Sequence, residues 1–179
     1  MRRIARPKTF AAVALGIAAL PGCASLPEDG FSPIPRAEAP AFDPLVFFAG
    51  RTEGRGTLDK GVLGTVPVRV ESEGELTAPG VLTLRQIVYE GDKPARERTW
   101  RIDRIGQATY RGDLTDAYGP VEGWASGNML TLRYTMEGNY DVTQRLILSP
   151  DGDRATNAMK VELLGATVAV LAEEIVRSE

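Results

Sequence analysis

From Leu45 onward the chain alternates apolar and polar residues in short runs separated by turn residues. Val66, Val68 and Val70 alternate with Pro67, Arg69 and Glu71, and Leu130, Leu132, Tyr134 and Met136 alternate with Met129, Thr131, Arg133 and Thr135. Tyr140, Val142, Leu146 and Leu148 share a face of the next run, and Met159, Val161 and Leu163 a face of the one after. A period of two marks a strand with one buried face. Turn signals divide these runs at Asp59-Lys60-Gly61, Pro79-Gly80, Glu90-Gly91-Asp92, Ser126-Gly127-Asn128, Glu137-Gly138-Asn139 and Pro150-Asp151-Gly152. No helical crossover of the kind a parallel sheet needs lies between them. The pattern predicts an all-β domain over 45–179, an up-and-down antiparallel barrel or strongly curved sheet of about eight or nine strands. In the last stretch, Val168 and Val170 fit a strand, while Val168, Leu171, Ala172 and Ile175 fit a helix. A barrel needs a final partner, so 164–177 is read as the closing strand. Strand-centre Arg69, Arg85, Arg101 and Arg145 argue against an outer wall facing lipid.

The pattern changes before Leu45. A basic start, MRRIARPK, precedes an apolar run from Phe10 to Leu20 that is too short to cross a bilayer core of about 30 Å. It reads as a secretory signal over 1–22. Leu20-Pro21-Gly22-Cys23 follows and resembles the lipobox of bacterial lipoproteins, which implies an acyl anchor on Cys23. Proline at the second of these positions departs from the usual small residue. Ala24 after the cysteine, by the usual sorting pattern, implies the outer membrane, with the domain facing the periplasm. Several acyl chains would hold the protein stably, where one chain is marginal. The segment 23–44 contains five prolines and no sustained period, so an extended tether is expected, reaching at most about 65 Å.

Composition narrows the chemistry. The chain has no histidine and one cysteine, which excludes Ser-His-Asp and Cys-His sites, the commonest zinc ligand and an internal disulfide. No phosphate loop, dinucleotide fingerprint or nucleophile elbow occurs, so no cofactor, metal or catalytic residue is assigned. Four of the 21 basic residues lie in the first 22 positions, leaving 17 against 24 acidic residues, a net charge of −7 after removal of the signal. That balance disfavours nucleic acid, and an anionic membrane held by charge alone. Glu71, Glu73 and Glu75 recur at spacing two and could face a cation, but no closing loop accompanies them and they read as a solvated strand end. Pro150-Asp151-Gly152-Asp153 reads as a hairpin turn.

The stretches FFAGRTEGRG, RTWRI, YRGDLTDAYGPVEGWASGN and MKVELLGATVAVLAEEIVR together resemble a family of uncharacterised bacterial lipoproteins, the family of unknown function numbered 3833. The likeness runs from about Leu45 to Arg177 and rests on Phe48, Gly50, Trp100, Tyr110, Gly112, Gly127, Asn128 and Met159. The chain departs from the pattern between Met159 and Gly165. The resemblance implies a lipocalin-like barrel on a lipoprotein, associated with genes for fatty-acid modification. Phe47-Phe48-Ala49-Gly50 also resembles the first-strand entry of lipocalins, and either phenylalanine would plug one end of the barrel.

Candidate ligand contacts follow from the predicted faces. Gln86 shares a face with Leu82, Leu84 and Val88, and Gln144 with Val142, Leu146 and Leu148; an amide on an apolar inner face needs a partner and can orient a ligand. Arg133 and Tyr134 point to opposite faces, so one of them faces inward. Trp100, Tyr110 and Trp124 suit either a pocket rim or core packing. The expected role is a lipid-anchored periplasmic barrel that binds or carries a fatty-acyl or lipid-like small molecule. The alternatives are an envelope scaffold with a filled barrel and, third, a barrel isomerase or cyclase using a buried carboxylate or arginine of perturbed pKa.

Overall fold

The computed structural model describes residues 34–178. The expected export signal, Cys23 and the first part of the tether lie outside the described residues. A one-turn helix, α1 (Pro44–Phe47), leads into ten strands: β1 (Gly50–Asp59), β2 (Thr65–Ala78), β3 (Val81–Glu90), β4 (Arg96–Arg104), β5 (Thr109–Leu114), β6 (Ala117–Ser126), β7 (Met129–Met136), β8 (Tyr140–Leu148), β9 (Arg154–Leu163) and β10 (Ala166–Ser178). Each strand pairs antiparallel with the next, and β10 returns to β1 from Arg51↔Ser178 to Asp59↔Val170, closing the barrel. Closure leaves no unpaired strand edge.

The up-and-down barrel agrees with the alternation, and 164–177 does form the closing strand. The strand count is ten rather than eight or nine. β5 has only six residues and turns into β6 through Thr115 and Asp116, without the glycine or proline that marks the other turns. A bulge between Thr167 and Ala169 breaks the phase at the start of β10, which is why the sequence there fits two periods.

One end of the barrel is plugged. Asp43 caps α1 by accepting the Leu45 N–H at 3.0 Å, with Pro44 in the first turn, where no amide donor is missed. The cap sets Phe47 (2% exposed) and Phe48 (6%) inside the barrel, their rings edge to face at 4.9 Å, with Phe42 against Phe47 at 5.3 Å. The expected phenylalanine plug is thus made by both residues. At the other end Val68, Val70, Val88 and Leu171 form a separate apolar collar. The β1–β2 and β9–β10 turns rise above this collar and carry Val62, Leu63 and Leu164, exposed by 91%, 79% and 96%.

The tether does not stay extended as far as Pro44. Asn128, 2% exposed in the β6–β7 turn, accepts the Ala37 N–H at 2.7 Å and donates to Pro35 O at 3.1 Å and Leu148 O at 2.8 Å. Main-chain bonds from Asn128 N to Ala37 O (2.8 Å) and from Phe42 N to Gly127 O (2.9 Å) complete the seat. Gly127 has φ +57°, and a Cβ there would collide with Ala37 O, so both the conformation and the space require glycine. Residues 34–42 are therefore part of the folded unit, docked at the plugged end, with Ile34 and Phe42 buried.

Candidate functional site: a polar belt in the barrel lumen

Between the plug and the collar lies a partly open slot of about 90 Å³. Most of its wall is apolar, as alternation demands. One tier is polar: Ser72 on β2, Gln86 on β3, Arg98 on β4, Gln144 on β8, Asn157 on β9 and Glu173 on β10 all line it. Register explains the grouping. Ser72, Gln86 and Arg98 are direct cross-strand neighbours, and so are Asn157 and Glu173. Neighbours on one face of a sheet are close enough to bond.

In the first row, Gln86 Nε2 donates to Ser72 Oγ at 3.0 Å, and its Oε1 accepts from Arg98 Nε at 2.8 Å and Trp100 Nε1 at 2.7 Å. The guanidinium also lies 5.5 Å from the Trp100 ring. Arg98 is held at one nitrogen and makes no ion pair among the described residues. Its remaining donors are free for a ligand.

In the second row, Asn157 Nδ2 donates to Glu173 Oε2 at 2.9 Å, with both residues nearly fully buried (3% and 4% exposed). Burial pushes the Glu173 carboxyl above its ordinary range, while the Asn157 bond and Arg98 pull the other way. Asn157 Oδ1 and Thr52 Oγ1 are buried with no hydrogen-bond partner. Gly54 on β1 makes room for the acid, because a Cβ there would collide with Glu173 Oε1.

The two glutamines predicted to face inward do so. Gln144 donates to the Tyr134 hydroxyl at 2.9 Å and lies 3.4 Å from Met159 Sδ. Burial pushes that hydroxyl up to about 12, so it stays a neutral donor and acceptor. Of the pair Arg133 and Tyr134, the tyrosine is inside, and its ring packs edge to face on Trp100 at 5.4 Å. Tyr110 is buried in the core. Trp124 and Arg133 do not join the lumen: Gly123 takes the inner position of β6, which turns Trp124 outward, where Arg133 lies over its ring at 5.0 Å. Glu71 pairs with Arg69 and Glu73 with Arg51, and among the described residues no acidic group is placed to hold a metal.

The sequence reading missed Ser72, Arg98, Asn157 and Glu173. Arg98 shares the phase of Trp100 and Ile102, and Asn157 that of Ala155 and Met159, so period two alone would have placed both inside. Glu173 was hidden by the adjacent Glu174 and by the competing helical phase.

A closed antiparallel barrel, plugged at one end and carrying a polar belt in its lumen, defines a lipocalin-like protein. The model of the family described as Protein of unknown function (DUF3833) matches residues 17–159, and the chain belongs to that family. The match includes Cys23 and the docked segment and stops at Met159 in β9, where the sequence resemblance also changes. Among solved structures, the chain is similar to the S-type phycobiliprotein lyase CPES from Guillardia theta, with a TM-score of 0.57 and 7% identity over 75% of this chain and 90% of that one. No curated protein matches the chain.

Proposed function

We propose that the protein is a lipid-anchored carrier of the bacterial envelope, whose lumen holds the polar head of an amphipathic, acid-bearing small molecule of fatty-acyl type. The observation that carries this reading is the belt: an arginine without an acid partner faces a buried carboxyl across a partly open slot. Arg98 supplies charge and Glu173, whose pKa burial pushes up, supplies a donor in its protonated form, so both suit an anionic, acceptor-rich head. The slot is below the roughly 300 Å³ that encloses a whole drug-sized ligand, so it suits a head with its chain leaving through the valine collar. The exposed Val62, Leu63 and Leu164 would cover that chain at the mouth. The fold it shares with a phycobiliprotein lyase supports a barrel built around a small molecule, and at 7% identity it does not name one.

The anchor is part of the same reading. With 34–42 docked, the chain from Cys23 to Ile34 can extend no more than about 40 Å, shorter than the full tether suggested. It joins the plugged end, so the mouth lies at the end of the barrel farther from the anchor.

The test is organic extraction of the purified full-length protein with mass spectrometry, together with thermal unfolding in dodecanoic acid. A co-purified amphiphile is expected, with a rise in Tm on the order of 5–10 °C at a hundredfold excess over Kd. Arg98→Gln should remove that rise. No extracted molecule and an unmoved Tm would leave a filled-barrel scaffold as the better account. Glu173 also favours a second reading, a barrel isomerase or cyclase in which this carboxyl exchanges a proton with the ligand. Conversion of the extracted molecule by wild type but not by Glu173→Gln would select it.

A further inference from the structure

The outer wall of β6 to β9 carries a hollow of about 550 Å³ that the lumen does not use. Its middle row runs Trp124, Thr131, Arg145, Ala158 across paired strands, and Met129, Ile147 and Thr156 form the row beside it. Arg133 covers Trp124, and Arg36 reaches in from the docked segment. Thr131 and Thr156 point outward yet are only 3% exposed, so the longer side chains form walls above them.

Three arginines without an ion pair gather at this hollow, while Arg85, Arg111 and Arg177, also without one among the described residues, stand elsewhere on the protein. Arg51, Arg55, Arg69, Arg101 and Arg154 each pair with a carboxylate. Arg36, Arg133 and Arg145 make no ion pair among the described residues. Glu122 stands opposite Arg133 in register and Glu38 lies two residues from Arg36, and neither pairs with them. Three uncompensated guanidinium groups around an indole and two aliphatic side chains combine charge with apolar surface. That mixture suits the interface of an anionic bilayer, where arginine binds phosphate and tryptophan sits at headgroup depth.

The course of the chain names the occupant. Arg36 follows the first described residue by two positions, so the stretch that begins at the expected anchor Cys23 joins the barrel beside this hollow. We propose that the hollow is the face on which the barrel rests against an anionic membrane, with lipid phosphates on Arg36, Arg133 and Arg145 and with Trp124 among the headgroups. The proposal rests on the envelope anchor of the preceding reading and is independent of what the lumen holds. It also refines the charge argument, since a chain that is acidic overall still offers one local cationic face.

The test reconstitutes the full-length protein on vesicles of phosphatidylcholine, alone or mixed with phosphatidylglycerol. Sedimentation reads attachment, and quenching of Trp124 fluorescence by bromine-labelled lipid reads docking. Trp100 is buried in the lumen and gives a constant background, checked with Trp124→Phe. Quenching is expected on the anionic vesicles, with relief in high salt. Arg133→Glu and Arg145→Glu should each lower the docked-to-undocked ratio about fivefold, without changing sedimentation. Arg133→Gln with Arg145→Gln guards against a folding defect of the glutamate variants. Equal quenching on both vesicles, or quenching that survives in the arginine variants, overturns the docking face and leaves the lumen reading intact. Failure to sediment with either vesicle overturns the anchor and the docking face together.

Discussion

Glu173 is an ionisable group in a buried environment that disfavours its charged form. A carboxyl 4% exposed, hydrogen-bonded by one amide and with no cation within ion-pair distance, has its pKa pushed up by burial. The sign of the pH effect follows. Because the folded-state pKa is raised, the unfolded chain ionises first as pH rises from about 4.5. Stability associated with this group is fully present below that value and is lost as pH climbs toward the folded pKa. Glu173→Gln keeps the shape and removes the titration. Urea unfolding at a series of pH values should therefore show the variant gaining on wild type by about 1.4 kcal/mol for each pH unit between the two pKa values. Parallel stability curves would mean that Glu173 is ionised in the folded protein and that Arg98 or water compensates it. Asn157 enters the same argument, because its amide N–H bonds the acid while its Oδ1 is left buried without a partner. Such an acceptor is costly unless a ligand or water reaches it, which ties the proton on Glu173 to occupancy of the slot.

Among the elements, the docked segment and the strands behaved differently toward sequence reasoning, for physical reasons. Strands with one buried face declare themselves by alternation, so β2, β3, β7 and β8 and their inner residues, Gln86 and Gln144 among them, were legible. β5 was not, since a six-residue strand ending in Thr115 and Asp116 has neither length nor turn chemistry to mark it. The belt was half legible for a related reason. Alternation places a residue inside but does not say which inner residues of distant strands share a tier, and that depends on register across β9, β10 and β1. Trp124 shows the opposite failure, a large aromatic expected at a pocket rim or in the core although Gly123 holds the inner position. The segment 34–42 has no period at all, and its order comes from Asn128, a residue 91 positions away from Ala37. Asn128→Ala removes three side-chain bonds from a buried site. It is expected to cost about 3 kcal/mol, read from denaturant midpoints, and to speed amide exchange at Ala37 and Phe42 while exchange in β3 and β4 changes little. Uniform acceleration across the barrel would show that the segment is not a separate unit.

At the level of the whole molecule, closure is the step that joins the ends of the chain. β1 and β10 pair Arg51 with Ser178, so their contacts form only after the intervening hairpins have brought the termini together. The other nine pairings are sequential hairpins of low sequence separation, and each can form without the closing seam. The lumen belt depends on that seam, because Glu173 sits in β10 over Gly54 in β1, and an open sheet would expose the acid to water. Closure therefore creates both the last edge pairing and the site. Ile175 tests the order of events, since it is 7% exposed on the inner face of β10 and belongs to the main core. Ile175→Val should destabilise the barrel by about 1 kcal/mol. If the seam forms after the rate-limiting step, nearly all of that loss will fall on unfolding, which becomes about fivefold faster, while the folding arm of the chevron stays in place. A folding rate that drops by the same factor would instead put the β1–β10 pairing in the transition state. In that case the acid is already enclosed when the barrel commits to fold.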